Sequence, residues 1–354
     1  RRQRAAEKDE QDEPNDGHTD LTHARWYLQE FDRALEQLSG AVHPKVSSTV
    51  RRAVDLWETG EKVLVFAFYR RTCSALRNHI SREIDRRMKA IARRRFQETG
   101  NPIRPEEVPE LISGVQSRYF DRRDSTGGRA LHAALQGIIA AHSETLAQKG
   151  VTETDLDQLV DIMRRFLRVA TTLVRCFPLA TADAMEPEEV IRTMLDHADG
   201  SGITWRTKFG GFLDALAHRF SETERRAYLS AAASVETGDI RVSEDEEDAN
   251  RTEASATALA NVRIATGKTG RQTRATLMRA FNTPFFPDIL VCSQVMGEGV
   301  DLQRYCRHVI HHDLDWNPST IEQRTGRIDR LGCKAENRHS IDVALAYLAG
   351  AADE

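Results

Sequence analysis

Apolar residues change their spacing several times along the chain, and each spacing predicts a different element. Residues 21–40 carry apolar side chains at three- and four-residue steps, typical of an amphipathic helix that ends at Gly40. A second, shorter helix is predicted to follow the HPKV stretch and to reach about Leu56. Residues 63–68 are continuously apolar and follow a turn at Gly60, which predicts a strand buried on both faces. Residues 73–84 return to helical spacing.

The last ninety or so residues alternate between short strand and helix patterns. Strands are predicted at residues 261–267, 288–292, 308–313 and 341–348, with a helix at 271–281 and another carrying the octapeptide QRTGRIDR. Such alternation through short connections predicts an α/β fold with a doubly wound parallel sheet. Ligands bind at the carboxyl ends of strands in these sheets, so the loops after Cys292 and Asp313 are the first candidate sites.

The stretch between the two α/β portions has helical apolar spacing and little strand character. We interpret it as a large all-α insertion within the sheet domain. The predicted organisation is a disordered tail, a helical lead-in, the first part of the sheet domain, the insertion and the second part, at residues 1–20, 21–60, 61–81, 82–260 and 261–354.

A basic run, RRMKAIARRR at residues 86–95, opens the predicted insertion. One interpretation is a helix that packs its apolar side chains inward and solvates the rest. The other is a helix that contacts a phosphate backbone. Both interpretations stay open at this stage. The acidic run at residues 243–250 is predicted to be a solvated loop.

Composition excludes several classes of protein. The 354 residues are 40% hydrophobic, enough for a substantial core, but no apolar run approaches the roughly 20 residues of a membrane span. The first residues do not read as a secretory signal, so a cytoplasmic protein is expected. Five widely separated cysteines without a CxxC pair predict neither a disulfide framework nor a zinc site. A net charge of −4 means that any nucleic-acid surface must be local.

The octapeptide QRTGRIDR follows a predicted helix start. Ser319 and Glu322 form an S-x-x-E capping box after Pro318, so a helix is expected from about Thr320 to Gly332. Its glycine, Gly326, is expected to let a neighbouring backbone come close.

On such a helix Gln323, Arg327 and Arg330 stand at i, i+4 and i+7 and share one face. Ile321, Ile328 and Leu331 fall on another side that can pack against the sheet. Two guanidinium groups projecting together are good phosphate ligands, because their planar forks match anionic oxygens and keep their charge. In a phosphoryl transfer such charge matters most in the transition state. A structural salt-bridge network is the alternative role for the pair.

Five stretches in the expected order carry a family resemblance: HPKV, KVLVFAFYR, SQVMGEGVDLQ, VIHHDLDWNPS and QRTGRIDR. Together they resemble the second RecA-like lobe of superfamily 2 helicases and Snf2-type translocases. The octapeptide is similar to the arginine-finger motif Q-x-x-G-R-x-x-R. The resemblance covers about residues 38–86 and 261–348 and leaves the helical insertion unexplained. It is strongest to bacterial Snf2-like ATPases, such as the RNA-polymerase-associated RapA group and helicase-like phage-defence proteins.

The resemblance implies a role for each matched residue. Arg327 and Arg330 would be arginine fingers that reach the γ-phosphate of ATP, with Gln323 beside the same cleft. Gly299 and Asp301 would help to hold the nucleotide. The residues implied to touch nucleic acid are Ser293, Gln294, Gly267, Lys268 and Arg70. A turn cap for Asp301 and ordinary loop positions for Ser293 and Lys268 are the alternatives.

No metal site is predicted within the chain. His311 and His312 are neighbours in a predicted strand, where successive side chains point to opposite faces, so they are expected to be core or rim residues. ATP hydrolysis of this kind also needs a glycine-rich phosphate loop and a carboxylate pair for Mg²⁺. GKT occurs at residues 267–269, but Val262 stands where the first glycine should be.

The resemblance therefore implies the second lobe of a helicase or translocase ATPase. A first lobe, in cis or in trans, would hold most of the ATP and Mg²⁺ contacts, and this chain alone would be inactive. The implied partner is nucleic acid, most simply double-stranded DNA, and a membrane partner is not expected. The alternative is a non-catalytic RecA-like module whose helical insertion binds nucleic acid or a protein partner. Phage defence, transcription and repair stay open as pathways.

Overall fold

The computed structural model describes residues 43–234, 261–293, 302–329, 334 and 342–345. Within them the strands are β1 Lys62–Phe66, β2 Val262–Ala265, β3 Ile289–Cys292, β4 Cys306–His311 and β5 Asp342–Leu345. The helices are α1 Pro44–Glu58, α2 Arg70–Glu98, α3 Val108–Val115, α4 Thr126–Gln148, α5 Glu153–Arg168, α6 Ala170–Cys176, α7 Pro187–Leu195, α8 Trp205–His218, α9 Glu222–Ser234, α10 Arg271–Phe281 and α11 Pro318–Thr325.

The five strands form one parallel sheet in the order β2-β3-β1-β4-β5. The central strand β1 pairs with β3 on one side, Val65 opposite Val291, and with β4 on the other, Val65 opposite Ile310. The predicted α/β fold with a parallel sheet is confirmed, and the predicted strand positions differ from the observed ones by a few residues at their ends.

Helices cover both faces of the sheet. Val63 and Val65 of β1 belong to a hydrophobic cluster formed with α1 and α2, whereas Leu64 and Phe66 belong to a second cluster formed with α10. Because side chains alternate along a strand, burial on both sides requires the continuous apolar runs seen in the sequence. The sheet is doubly wound.

Helix α2 joins the sheet to the helical part without a break. The sequence pattern predicts a helix over residues 73–84, but the observed helix begins at Arg70 and runs for 29 residues to Glu98. The predicted tail at 1–20, the helix at 21–40 and the acidic run at 243–250 lie outside the described residues.

The helical part has a hydrophobic core of its own, and the sheet domain contributes to it. Phe166 and Phe209 pack with Phe285, from the segment between α10 and β3, at ring-centroid distances of 5.6 and 5.7 Å. Residues 99–234 contain helices, turns and a single isolated bridge between Ala198 and Thr204. None of the described helices meets the length and hydropathy that a bilayer span requires.

Buried polar groups fasten these helices to the amino-terminal edge of the sheet. Asp288, just before β3, accepts hydrogen bonds from Arg175 of α6 at 3.1 Å, from Asn261 at 2.7 Å and from the indole of Trp57 at 3.2 Å. Lys62, the first residue of β1, donates to the carbonyls of Phe281 and Pro287 at 3.0 and 2.9 Å. Burial lowers the pKa of this lysine to about 7.

A second buried cluster lies at the same edge. The ammonium of Lys334 lies 2.7 Å from Glu61 and 2.9 Å from Asp199, and Lys208 of α8 lies 2.8 Å from Asp199. Burial alone would raise the pKa of Glu61, but hydrogen bonds from His308 and Lys334 lower it to about 2. The helical part therefore covers the edge opposite the one where ligands bind in such sheets.

Four of the five cysteines fall within the described residues. Cys73, Cys176, Cys292 and Cys306 are all buried and have free thiols. Burial raises the pKa of Cys73 and Cys306 to about 12. These thiols are packed core groups that stay protonated at neutral pH.

Candidate functional site

The loops that follow β1 to β4 meet along the carboxyl-terminal edge of the sheet. Backbone hydrogen bonds extend the strand ladder into them: Ala67 donates to Cys292 at 3.0 Å, Ser293 to Ala265 at 3.0 Å, and His312 to Phe66 at 2.9 Å. The residues after the strands are thereby held in one row. This is the edge where the sequence predicts ligand binding.

Asp313 ties two of these loops together. Its Oδ2 accepts a hydrogen bond from the backbone N–H of Phe68 at 2.9 Å, and its Oδ1 forms an ion pair with Lys45 near the start of α1. The loops after β1 and β4 are therefore fixed to each other and to α1. Sequence reasoning marked the position of this loop but missed the carboxylate that organises it.

Two histidines are buried at the end of β4 and point to opposite faces. His312 Nδ1 lies 2.8 Å from the hydroxyl of Thr49 on α1, whereas the ring of His311 stacks on Phe66 at 5.9 Å. Burial lowers the pKa of each to about 4, so both are neutral at pH 7. Within the part of the chain that the structure describes, no group of three His, Cys, Asp or Glu residues is placed to hold a metal ion.

The helix that carries the octapeptide is shorter than its pattern predicts. Asn317, not Ser319, is the N-cap, and its side chain accepts a hydrogen bond from the N–H of Ser319 at 3.0 Å. Asparagine is among the strongest N-cap residues, and Pro318 suits the first helical position. The helix ends at Thr325, and Gly326 closes it with a hydrogen bond to Glu322 at 2.7 Å.

Three expectations for this segment are therefore wrong. The capping box does not form, the helix does not reach Gly332, and Arg327 lies beyond the helix, so Gln323 and Arg327 do not share a helical face. The competing physics is local, since the tight turn at Gly326 satisfies the last helical carbonyls.

Within the octapeptide the described side chains differ in exposure. Gln323 is exposed, whereas Arg327 and Ile328 are buried. The carbonyl of Arg327 accepts a hydrogen bond from the N–H of Leu302 at 2.9 Å, which joins the octapeptide to the chain just before β4. Arg330 lies outside the described residues.

Arg324 is a residue of the site that sequence reasoning missed. Its guanidinium lies 5.4 Å from the ring of Phe66 and 5.2 Å from that of Phe68, and it is 3.3 Å from a carboxylate oxygen of Asp315. Burial lowers its pKa, and the carboxylates of Asp315 and Asp313 oppose that shift. The one available signal was a third arginine in an octapeptide whose motif explains only two.

The residues implied to touch nucleic acid lie on different loops of this edge. Gly267 and Lys268 are exposed in a turn after β2 that is closed by hydrogen bonds of 3.0 Å between Thr266 and Thr269. Arg70 is the exposed first residue of α2, whereas Ser293 is buried. Gln294, Gly299 and Asp301 lie outside the described residues.

Three large apolar side chains are exposed in the described part of the chain, and all lie in the loops after β1 and β4. They are Tyr69, Leu314 and Trp316, the last of them fully exposed. Exposed apolar groups that cluster in one place are typical of an interaction surface.

Part of the chain that forms this edge is similar in sequence to known proteins. Residues 240–332 match the model of the helicase conserved C-terminal domain. An uncharacterized ATP-dependent helicase, YqhH, of Bacillus subtilis is 52% identical over 44 residues, which cover 12% of this chain and 8% of that protein. The RNA polymerase-associated protein RapA of Vibrio vulnificus is 39% identical over 66 residues, 19% of this chain and 6% of RapA. RapA of Proteus mirabilis is 41% identical over 64 residues, 18% of this chain and 6% of that protein.

The matched stretch spans less than a tenth of the length of these relatives. No solved structure matches the chain significantly.

Proposed function

We propose that this chain, whose residues 240–332 match the helicase conserved C-terminal domain, is the second motor lobe of a nucleic-acid-dependent superfamily 2 ATPase that translocates on double-stranded DNA. ATP would lie between this lobe and a first lobe, in cis or in trans. Closure of the two lobes around ATP would move the protein along the nucleic acid.

The observation that carries the proposal is the position of QRTGRIDR within the matched region. The octapeptide begins in α11, which follows the loop at the carboxyl-terminal edge of the sheet. Its Ile328 packs in the hydrophobic cluster on one face of the sheet, and β5 follows in sequence. Arg327 and Arg330 are proposed as the arginine fingers, with Gln323, Gly299 and Asp301 beside the nucleotide. Arginine suits this role because the charge it brings to the transferred phosphoryl group never titrates away.

The described residues fit ATP in part. Arginine side chains suit the γ-phosphate, and within the described residues no group of three His, Cys, Asp or Glu residues is placed to hold Mg²⁺. We therefore propose that the first lobe holds the metal ion and the other phosphates, and that this chain alone hydrolyses little ATP. Bound Mg²⁺ would neutralise charge on the phosphates during transfer.

Nucleic acid is proposed to bind the loops at the carboxyl-terminal edge. Gly267, Lys268 and Arg70 are exposed there, as are Tyr69 and Trp316. Ser293 and Gln294 are proposed to contact the backbone at the end of β3. Cations with apolar neighbours on one edge suit contacts to phosphates and sugars.

The test is ATP turnover by the complete protein with and without duplex DNA. Arg330→Ala is expected to cut DNA-stimulated turnover by on the order of 10³-fold while DNA affinity stays nearly the same, as is typical of arginine fingers. Arg226→Ala is the control, because Arg226 is an exposed residue of α9 paired with Glu222. Equal turnover in the Arg330 variant would overturn the role of the octapeptide. No turnover in the wild type would favour a non-catalytic binding module.

A further inference from the structure

A basic groove lies on the outer surface of α1 and α2, away from the loops of the candidate site. It is open, has a volume of about 470 Å³, and its walls carry Arg51 from α1 and His79, Arg82 and Arg86 from α2. The carboxylate that lines it, Glu83, is already bound by Arg86 and Arg87.

Most cations of α2 have protein partners. Arg87 binds Asp55 and Glu58 of α1 at 2.8 and 2.7 Å, and Lys89 binds Asp85 at 2.7 Å. Arg94 binds Glu58 at 3.1 Å, and Arg95 donates to backbone carbonyls of α6 and the residue after it. Most of the cations in the run at residues 86–95 are therefore paired within the protein.

Four exposed arginines of α1 and α2 differ from these. Among the described residues, the guanidinium groups of Arg51, Arg71, Arg82 and Arg93 take part in no hydrogen bond or ion pair. The neighbouring His79 has its pKa lowered by burial and by Arg82, so it adds no charge of its own at pH 7. A single exposed cation is solvated by water and does not destabilise the fold. Several such cations on one side of two helices form a local positive surface.

Their spacing is regular. Arg71, Arg82 and Arg93 follow one another at 11-residue steps along α2, close to three full turns, so they lie on one side of the helix. The 22 residues from Arg71 to Arg93 span about 33 Å at 1.5 Å per residue. One turn of a B-form duplex is about 34 Å. The row begins beside Arg70, at the edge proposed to bind nucleic acid.

We propose that Arg51, Arg71, Arg82 and Arg93 form a second binding surface, which takes the phosphate backbone of a duplex segment lying along α2 outside the motor cleft. The choice of duplex rests on the proposed function. A straight row of about one helical turn fits a stiff, regularly charged rod, whereas an acidic peptide would need no such length. The contacts are to phosphates and carry no sequence preference.

The experiment compares the complete protein with a variant carrying Arg51→Gln, Arg82→Gln and Arg93→Gln. Binding is measured by fluorescence anisotropy on duplexes of about 12 and about 40 base pairs, the longer adding more than two helical turns. The wild type is expected to gain affinity and salt dependence with length. The variant is expected to lose that gain, with the slope of log K against log salt on the long duplex smaller by about 2.7, at about 0.9 for each lost phosphate contact.

A second triple variant is matched in charge. Arg104→Gln, Arg123→Gln and Arg226→Gln removes three exposed arginines of the helical part that are paired with Glu107, Asp161 and Glu222. Its slope is expected to stay close to that of the wild type, and thermal melting checks that both variants fold. Equal slopes for the two triple variants would overturn the proposal. Binding of polyglutamate is measured on the same variants. If the first triple variant loses polyglutamate binding while its salt slope on the long duplex stays at the wild-type value, the groove binds an acidic peptide instead.

DNA-stimulated ATP turnover of the wild type on the short duplex is measured in parallel. If DNA stimulates turnover but the two triple variants have the same salt slope, the second binding surface is wrong and the motor proposal is unaffected. Absent turnover on either duplex defeats the motor proposal, whatever the slopes.

Discussion

The ammonium group of Lys334 lies 2.9 Å from a carboxylate oxygen of Asp199, and both side chains are almost completely buried. Lys334 follows the arginine octapeptide by four residues, and Asp199 belongs to the loop between α7 and α8. A second oxygen contact, 2.7 Å to Glu61, ties the same lysine to the start of β1. The octapeptide segment, the sheet and the helical part therefore meet at one charged group.

Replacing Asp199 should destabilise the folded protein. We expect Asp199→Asn to lower the free energy of unfolding by roughly 3 kcal/mol or more, because Lys208 and Lys334 lose a buried counter-charge. Urea unfolding followed by circular dichroism measures the change. Glu222→Gln is the control, since its pair with Arg226 is exposed and is worth about 1 kcal/mol or less. Similar losses in the two variants would show that the buried cluster contributes nothing special.

The two histidines at the end of β4 should make stability depend on pH. Their pKa values are lowered to about 4 in the folded chain, whereas an unfolded histidine titrates near 6.5. Between these values the unfolded state binds more protons, so stability is full above about pH 6.5 and falls as the pH drops towards 4. Urea midpoints at a series of pH values measure this slope.

Two variants isolate the cause. His311→Asn should reduce the slope of unfolding free energy against pH by about one proton within that window. His218→Asn is the control, because His218 is exposed at the end of α8. An unchanged slope in His311→Asn would place the acid sensitivity elsewhere.

Arg324 should not tolerate lysine. Its flat guanidinium lies over two phenylalanine rings and also reaches Asp315, and an ammonium cannot do both. We expect Arg324→Lys to lower the free energy of unfolding by roughly 1–2 kcal/mol. The matched control is Arg206→Lys, at an exposed pair with Asp196, where a loss of about 0.5 kcal/mol or less is expected. Equal melting temperatures for Arg324→Lys and the wild type would contradict this role.

Lys268 provides a test of the carboxyl-terminal edge as a nucleic-acid surface. In the complete protein, Lys268→Gln should reduce the slope of log K against log salt for duplex DNA by about 0.9, the contribution of one phosphate contact. Lys149→Gln removes an exposed lysine that directly follows α4 in the helical part and should leave the slope as it is. A slope that is unaltered by the Lys268 change would remove this turn from the proposed interface.

The parts of the fold that sequence predicts well are those set by local patterns. The apolar runs of β1 and β3 and the helical spacing of α10 are each encoded within about ten neighbouring residues, and the observed elements lie where those patterns are. The parallel sheet follows from their alternation. The exposed turn at Gly267 could likewise be placed at a strand end in advance.

The failures lie where distant or competing contacts decide. Glu61 and Lys334 are 273 residues apart in sequence, and no spacing rule joins them. Nothing in the local sequence distinguishes Arg324 from other helical arginines, because the two rings beside it come from β1 and the loop that follows β1. Both ends of α11 differ from the prediction, because the Asn317 side chain caps its start two residues before Ser319 and the turn at Gly326 closes its end. For Arg330, Gly299 and Asp301, the motif alone supports the proposed roles.

Helix α2 also gives the molecule a mechanical property. It starts at the carboxyl-terminal edge of the sheet and continues for 29 residues, about 43 Å, until Arg95 near its far end is bonded to backbone carbonyls around α6. Because α2 is held at both ends, it carries any rotation of the sheet to the helical part. A rotation of the lobe by about 10° would carry the far end through about 7 Å, given that length. When the lobe turns as one body, the helical part therefore moves farther than the loops at the carboxyl-terminal edge of the sheet.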